Sequence, residues 1–129
     1  MNRGTSQRAQ IIHYSLELLP TIEEALLHMQ KQLEELRLEE SAVLLTDVSQ
    51  AIGKIVHYSL PMLNESRDQF MMDAIIGLRE SMELIADAYE DSNLAGIQDA
   101  LRGRLIPAFV HWRYELLKSL GPAIAECCN

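Results

Sequence analysis

The stretch MMDAIIGLRESMELIADAY, residues 71–89, decides the fold class of this 129-residue chain. Its apolar side chains are spaced alternately four and three residues apart, at Met71, Ile75, Leu78, Met82, Ile85 and Tyr89. That spacing is the heptad pattern of a helix that packs one face against other helices. The composition agrees, because 48% of the residues are hydrophobic and only 5% are aromatic, which favours helices over sheets. The sequence therefore predicts an all-α protein.

Similar apolar stripes on both sides of this stretch predict three more helices. The four helices are expected at about residues 6–38, 41–62, 66–90 and 93–120, with residues 121–129 as a tail. Ser41 and Ser66 are the predicted N-caps of helices 2 and 3, and Gly121 followed by Pro122 is the expected end of helix 4. A chain of this length fits one domain, residues 1–129. Short connections favour an up-down-up-down antiparallel four-helix bundle built from two helical hairpins.

Three prolines interrupt these predicted helices, at Pro20, Pro61 and Pro107. Each proline lacks a backbone donor and crowds the carbonyl group four residues earlier. The stripe of helix 1 keeps its phase through Pro20, so a kink is expected there rather than a break. At Pro61 a kink and a helix end both remain open. At Pro107 the crowded carbonyl belongs to Gly103, which leaves the backbone room to bend.

One six-residue pattern occurs almost unchanged twice, as Ile11-Ile12-His13-Tyr14-Ser15-Leu16 and as Ile55-Val56-His57-Tyr58-Ser59-Leu60. Val110-His111-Trp112 is a looser third version. In the predicted topology all three copies lie at the same end of the bundle. The candidate site for a ligand or a protein partner therefore consists of His13, Tyr14, His57, Tyr58, His111 and Trp112. In the alternative interpretation the aromatic rings pack in the core and the histidines lie at its boundary, since neighbouring helical residues point about 100° apart.

The charge of the chain restricts its partners. The formal net charge is −8, which argues against nucleic acid and against an anionic membrane surface as a partner. No apolar run approaches the roughly 18 residues of a membrane span, so a cytoplasmic protein is expected. Cys127 and Cys128 are adjacent, which fits neither a disulfide framework nor a zinc motif, and their role stays open.

The sequence contains no catalytic signature. It has no nucleophile elbow, no glycine-rich phosphate loop and no Glu-x-x-His metal motif, so no catalytic residue, cofactor or metal is expected. We therefore predict a non-enzymatic protein–protein interaction module or adaptor that self-associates as a homodimer. The alternative is a bundle that binds a small ligand or a metal through His13, His57 and His111.

A third hypothesis rests on His28, which is followed by Lys31 three residues later. That pair resembles the site of histidine phosphotransfer domains, in which a lysine could neutralise part of the phosphoryl charge. Gln32 stands where that family has glycine, which puts the approach of a phosphodonor in doubt.

The segment of residues 94–101, LAGIQDAL, continues through Leu105-Ile106-Pro107 to Trp112. An Asp-x-Leu segment that leads to a proline and then to a tryptophan resembles a pattern in small uncharacterised all-helical bacterial proteins. The resemblance covers residues 94–112 only. It implies an all-helical fold and carries no known activity with it.

Overall fold

The computed structural model describes the backbone of residues 3–63 and 69–128 and the side chains of residues 7–61 and 69–121. Within these ranges the chain is all-helical and contains no strand, as the sequence predicts. The helices are α1 (Arg3–Glu34), α2 (Leu38–Leu63), α3 (Gln69–Glu90), α4 (Leu94–Ala100) and α5 (Ile106–Cys128). A π-helical turn, Leu101–Leu105, joins α4 to α5, so these three segments form the fourth of four helical rods.

The turn between α1 and α2 is a Schellman motif. The N–H of Arg37 donates to the carbonyl of Gln32 at 2.8 Å, and the N–H of Leu36 donates to the carbonyl of Leu33 at 3.1 Å. Leu36 takes the left-handed conformation, with a φ of 61°. Helix 1 therefore ends at Glu34, four residues before its predicted end. The sequence did not reveal this end because a leucine occupies the position where glycine is the usual signal.

The turn between α3 and α4 repeats this geometry. Asn93 N–H donates to Ala88 O at 3.2 Å, Ser92 N–H donates to Tyr89 O at 3.0 Å, and Ser92 has a φ of 50°. Asn93 then caps α4, because its side-chain oxygen accepts a hydrogen bond from Gly96 N at 3.1 Å. The start predicted for helix 4 is therefore observed to within one residue.

The predicted boundary at the start of helix 2 is wrong. Helix α2 begins at Leu38, so Ser41 is not its N-cap but a buried residue of its first turn. The Ser41 hydroxyl donates to the carbonyl of Leu38 at 2.8 Å. Helix α3 is described from Gln69, and the N-cap predicted at Ser66 lies outside the described residues.

The predicted tail is also wrong, because α5 continues through Gly121 and Pro122 to Cys128. Among the described residues no glycine has a positive φ, so Gly121 does not take the left-handed conformation that terminates a helix. Pro20 and Pro61 likewise lie within continuous helices, α1 and α2. A proline removes one donor from the helix without having to end it.

Each of several buried positions in the first hairpin has a buried counterpart in the second hairpin, and the difference between the two residue numbers is the same for every pair. This difference is called the hairpin offset. Three buried residues of α1 have buried counterparts in α3 at this offset: Leu19 and Ile75, Ile22 and Leu78, Met29 and Ile85. The left-handed residues of the two turns, Leu36 and Ser92, are separated by the same offset. The two hairpins are therefore equivalent structural units.

The π-helical turn adds one residue to the second unit. Where the turn begins, Leu101 still corresponds to Leu45 of α2 at the hairpin offset. Beyond the turn the separation is one residue longer, as shown by the buried pairs Ile52 and Phe109, and Ile55 and Trp112. A π turn absorbs an inserted residue while the following helix keeps its buried face.

The helices pack side by side around one hydrophobic core. Helix α1 packs along α2, and α3 packs along α4, the π turn and α5. The two hairpins meet mainly through α1 and α5, whose contact includes an ion pair between Glu23 and Arg113. Helices α2 and α3, in contrast, approach each other at few positions. That loose seam positions the groove described below.

Candidate functional site

The structure separates His111 from Trp112. Trp112 is only 1% exposed and packs against Phe109, with ring centroids 6.0 Å apart, whereas His111 is exposed to solvent. Its ring is therefore part of the hydrophobic core. The residue added by the π turn explains this position, because it makes Trp112 the counterpart of the buried Ile55, and Tyr114 the counterpart of His57.

His13 and Tyr14 both lie on the surface of α1. The imidazole Nε2 of His13 is 3.0 Å from the Glu17 carboxylate, one helical turn later. Tyr14 lies beside Tyr58, and these two rings line a shallow hollow between α1 and α2 together with Lys54. The structure thus brings the two tyrosines of the repeated pattern together.

His57 lies on a different side of α2. Its ring makes an edge contact with the ring of Tyr58, with centroids 5.2 Å apart, but it lines the groove between α2 and α3. The six candidate residues are therefore divided between that groove, the tyrosine hollow, the core and the open surface. They do not form one open pocket shared by all six.

The serines of the repeated pattern point inward. Ser15 is completely buried and Ser59 is nearly so, although their histidine and tyrosine neighbours are exposed. The hydroxyl of Ser15 has no hydrogen-bond partner among the described residues. The repetition therefore marks equivalent packing positions at the same end of α1 and α2.

The residues considered for phosphotransfer and metal binding are also placed. His28 and Lys31 are exposed on α1, whereas Gln32 is buried. Within the described part of the chain, no three His, Cys, Asp or Glu side chains cluster closely enough to hold a metal ion. In the same part of the chain, no helix combines the length and the hydropathy that crossing a membrane requires.

A groove between α2 and α3 is lined by one of the candidate residues, His57. It has a volume of about 330 Å³. Six apolar side chains line it: Ile52, Val56, Leu60, Ile75, Leu78 and Met82. The remaining lining residues are Ser49, Gly53, His57 and Arg79. From Ser49 to Leu60 the groove follows about three turns of α2, or roughly 17 Å.

The groove carries no acidic side chain in a chain of net charge −8. Arg79 forms no ion pair or hydrogen bond with any described residue, although Glu83 lies one turn later on the same helix. Among the described residues, one polar contact crosses the groove: the Ser49 hydroxyl donates to the Met82 sulfur at 3.7 Å. The groove therefore offers an apolar floor and one uncompensated cation.

Sequence reasoning missed this groove because the apolar stripes of α2 and α3 predict ordinary packing at this seam. The available signal was the pair of small residues, Ser49 and Gly53, on the side of α2 that faces α3. A Cβ atom placed on Gly53 would meet no other atom within 4 Å. Small side chains here leave open the space that larger ones would fill.

A second feature that sequence reasoning missed is the buried carboxylate of Glu115. Its side chain is almost fully buried, and its Oε1 atom has no hydrogen-bond partner among the described residues. The Lys118 ammonium group lies 3.8 Å from that oxygen. A buried oxygen atom without a hydrogen bond costs stability.

A family model described as "Domain of unknown function (DUF8042)" matches residues 10–115, which include both turns and most of both hairpins. No curated protein and no solved structure matches the chain. The match confirms the resemblance of residues 94–112 to uncharacterised helical proteins and adds no activity to it.

Proposed function

The chain belongs to the DUF8042 family, a domain of unknown function, and we propose that it acts without catalysis, by binding a helix of a partner protein in the groove between α2 and α3. In this proposal the four rods form an up-down-up-down antiparallel bundle, bent at Pro20, Pro61 and Pro107. The protein works in the cytoplasm as an interaction module or adaptor. Self-association of the protein also remains a prediction, and it would use a surface other than the groove between α2 and α3.

The observation that carries the proposal is the open apolar seam between two helices. A groove about three turns long fits an amphipathic helix that inserts apolar residues at positions i, i+3 or i+4, and i+7. Helix α2 supplies Val56 and Leu60 for such contacts, and α3 supplies Ile75 and Met82. Apolar grooves bordered by polar residues are typical of interaction sites.

The charges of the groove indicate which helix it would accept. Arg79 at its edge is available for a carboxylate, and the lining contains no acidic side chain that would repel one. The partner helix therefore carries Asp or Glu beside its apolar stripe. The net charge of −8 would by itself favour a basic peptide, so a preference for an acidic helix requires the local contact with Arg79.

The second candidate function is the binding of a small anionic amphiphile in the same groove. His57 and Arg79 both line it, so a carboxylate or sulfonate group next to an apolar body has two polar contacts available. His13 and His111 take no part in this version.

A titration with two synthetic helical peptides tests the proposal. One peptide has a leucine stripe flanked by glutamates, and the other has lysines in place of the glutamates. Amide chemical shifts measured by NMR should move for residues 49–60 and 75–82 with the acidic peptide, and binding of the basic peptide should be weaker. A stronger effect of the basic peptide, or shifts elsewhere, contradicts the proposal.

Two leucine substitutions on α2 provide a matched pair. Gly53→Leu fills the groove from its open side and should abolish binding of the acidic peptide. Gln50→Leu adds the same side chain to the exposed surface of α2 outside the groove and should leave binding unchanged. If neither peptide binds but anilinonaphthalene sulfonate does, and Gly53→Leu prevents it, the small-ligand function replaces the helix-binding one.

A further inference from the structure

Helix α3 exposes a column of three carboxylates. Asp73, Glu80 and Asp87 are exposed and seven residues apart, which places them along one face of the helix at intervals of about 10 Å. Asp73 accepts a hydrogen bond from Gln69 at 2.8 Å. Among the described residues none of the three forms an ion pair. This set is called the acidic column below.

The fourth rod exposes a basic column with the same spacing. Arg104, His111 and Lys118 are exposed and again seven residues apart. Arg104 and His111 form no ion pair within the described ranges. The Lys118 ammonium group lies 5.8 Å from the centroid of the Phe70 ring and 3.8 Å from the buried Glu115 carboxylate.

The two columns lie side by side on one face of the fold. Near one end Lys118 lies over the ring of Phe70, the second residue of α3, and further along α3 the Ser81 hydroxyl oxygen lies 3.3 Å from the carbonyl oxygen of Arg104. From the Phe70 end toward Ser81, residue numbers rise along α3, whereas the residues beside them on the fourth rod fall from Lys118 to Arg104. The two rods therefore run in opposite directions. Glu80 and Arg104 consequently lie at similar heights. This surface is the α3–α5 face.

We propose that the α3–α5 face is the contact between two copies of this chain. A second copy turned by 180° about an axis parallel to the helices places its α5 opposite α3 of the first copy. Because Glu80 is level with Arg104 and the two columns run in opposite directions, Glu80 then meets Arg104 of the second copy and Asp73 meets His111 of the second copy. The contact is made twice. A two-fold axis perpendicular to the helices would instead place like charges opposite each other, which is unfavourable.

Exposed aromatic rings supply the apolar part of this contact. Phe70 is 66% exposed and Tyr114 is 63% exposed. Tyr114 precedes Lys118 by one helical turn, so it borders the basic column, and Phe70 lies beneath Lys118. Aromatic side chains are enriched at the centres of protein interfaces. This surface is separate from the α2–α3 groove, so the inference stands or falls independently of peptide binding there.

The dependence of the association on salt separates this contact from non-specific association. Molar mass is measured by light scattering over a range of protein concentrations, at low ionic strength and at about 1 M salt, where the screening length falls to about 3 Å. Two copies of net charge −8 repel each other, so non-specific association would strengthen with salt. Association through opposed columns should weaken. A monomer under all conditions, or a dimer that salt strengthens, overturns the proposal.

Charge reversal tests the geometry. Glu80→Lys lowers the net repulsion between copies, yet it should weaken the dimer about tenfold or more because it puts a cation opposite Arg104 of the other copy. Glu24→Lys makes the same change on the exposed surface of α1 and should not weaken it. Glu80→Arg combined with Arg104→Glu should restore the dimer. The proposal is overturned if the Glu80 and Glu24 variants have equal effects on the dimer, or if the charge swap does not restore it. Thermal unfolding confirms that each variant is folded.

Discussion

The hydroxyl of Tyr89 on α3 donates a hydrogen bond of 2.7 Å to the hydroxyl oxygen of Ser41 on α2. Ser41 in turn donates to the carbonyl of Leu38 at 2.8 Å. This chain of hydrogen bonds joins the two hairpins next to both Schellman turns. Because α2 and α3 approach each other at few positions, the bond is a principal polar link across their seam.

Loss of this link should be measurable in stability. Tyr89→Phe keeps the ring but removes the hydroxyl, so the free energy of unfolding should fall by about 1 kcal/mol. The control is Tyr114→Phe, because Tyr114 is 63% exposed and its change should stay within about 0.5 kcal/mol. Urea denaturation followed by circular dichroism measures both. Equal effects of the two substitutions would show that the hydrogen bond contributes nothing to stability.

The same residue should make the protein sensitive to alkali. Burial raises the pKa of Tyr89 above its ordinary value of 10.0, and the hydrogen bond with Ser41 partly opposes this shift. The folded state therefore keeps a proton that the unfolded chain loses, so stability should decline as the pH rises above about 10 and be unaffected by this group below that. Denaturation midpoints measured across this range should decline less steeply in Tyr89→Phe than in the wild type. An identical decline in both proteins would contradict the assignment to Tyr89.

Substitution of Trp112 should lower the free energy of unfolding far more than substitution of its neighbour His111. Trp112→Ala removes a buried ring that packs against Phe109 and should cost about 3–5 kcal/mol. His111→Ala changes an exposed side chain and should stay within about 0.5 kcal/mol. Thermal and urea unfolding measure both. A large cost at His111 would show that its imidazole contributes to packing after all.

The sequence predicted the helical class because the spacing of apolar residues directly reflects which helix face is buried, as at Ile75, Leu78 and Ile85. It failed at the end of helix 1, where Leu36 adopts a left-handed conformation without the glycine signal. The end of helix 3, in contrast, lies at Glu90 as predicted. It also failed where local signals compete with the continuity of a helix, since Gly121 and Pro122 remain helical.

The candidate site was only partly predictable. The sequence singled out His57, which lines the groove, but grouped it with Trp112, whose buried position depends on one inserted residue in the π turn. An inserted residue of this kind shifts by one position which residues of the two hairpins are equivalent. The spacing of the histidines in the sequence does not reveal this shift. The groove itself arises from small side chains and from a seam that the helices leave open, which a pattern of apolar residues does not reveal.

The buried carboxylate of Glu115 should lower stability relative to an apolar residue. Glu115→Leu removes a buried oxygen atom, Oε1, that has no hydrogen bond among the described residues, so the free energy of unfolding should rise by about 1 kcal/mol or more. Glu24→Leu, on the exposed surface of α1, is the control and should change stability little. Chemical denaturation distinguishes the two. A destabilised Glu115→Leu variant would mean that the Lys118 pair outweighs the cost of burial.

The π turn should tolerate removal of the residue that it adds. Its signature hydrogen bond joins the N–H of Ile106 to the carbonyl of Leu101, five residues earlier, and Pro107 follows directly without a donor of its own. Deleting Gly103 and replacing Pro107 with alanine should give a continuous α-helix in which Leu101 and Phe109 keep their buried positions. The helix content and a cooperative unfolding transition, followed by circular dichroism, should therefore be retained.

Deletion of Gly53 from α2, combined with Pro107→Ala, is the matched control for this prediction. Helix α2 has no π turn to absorb the change, so every later residue of the helix would rotate by about 100°. Ile55 would then leave the core, and cooperative unfolding should be lost. If deletion of Gly103 is as damaging as deletion of Gly53, the fold requires the π turn. The extra residue that separates equivalent positions of the two hairpins beyond this turn would then not be a tolerated insertion.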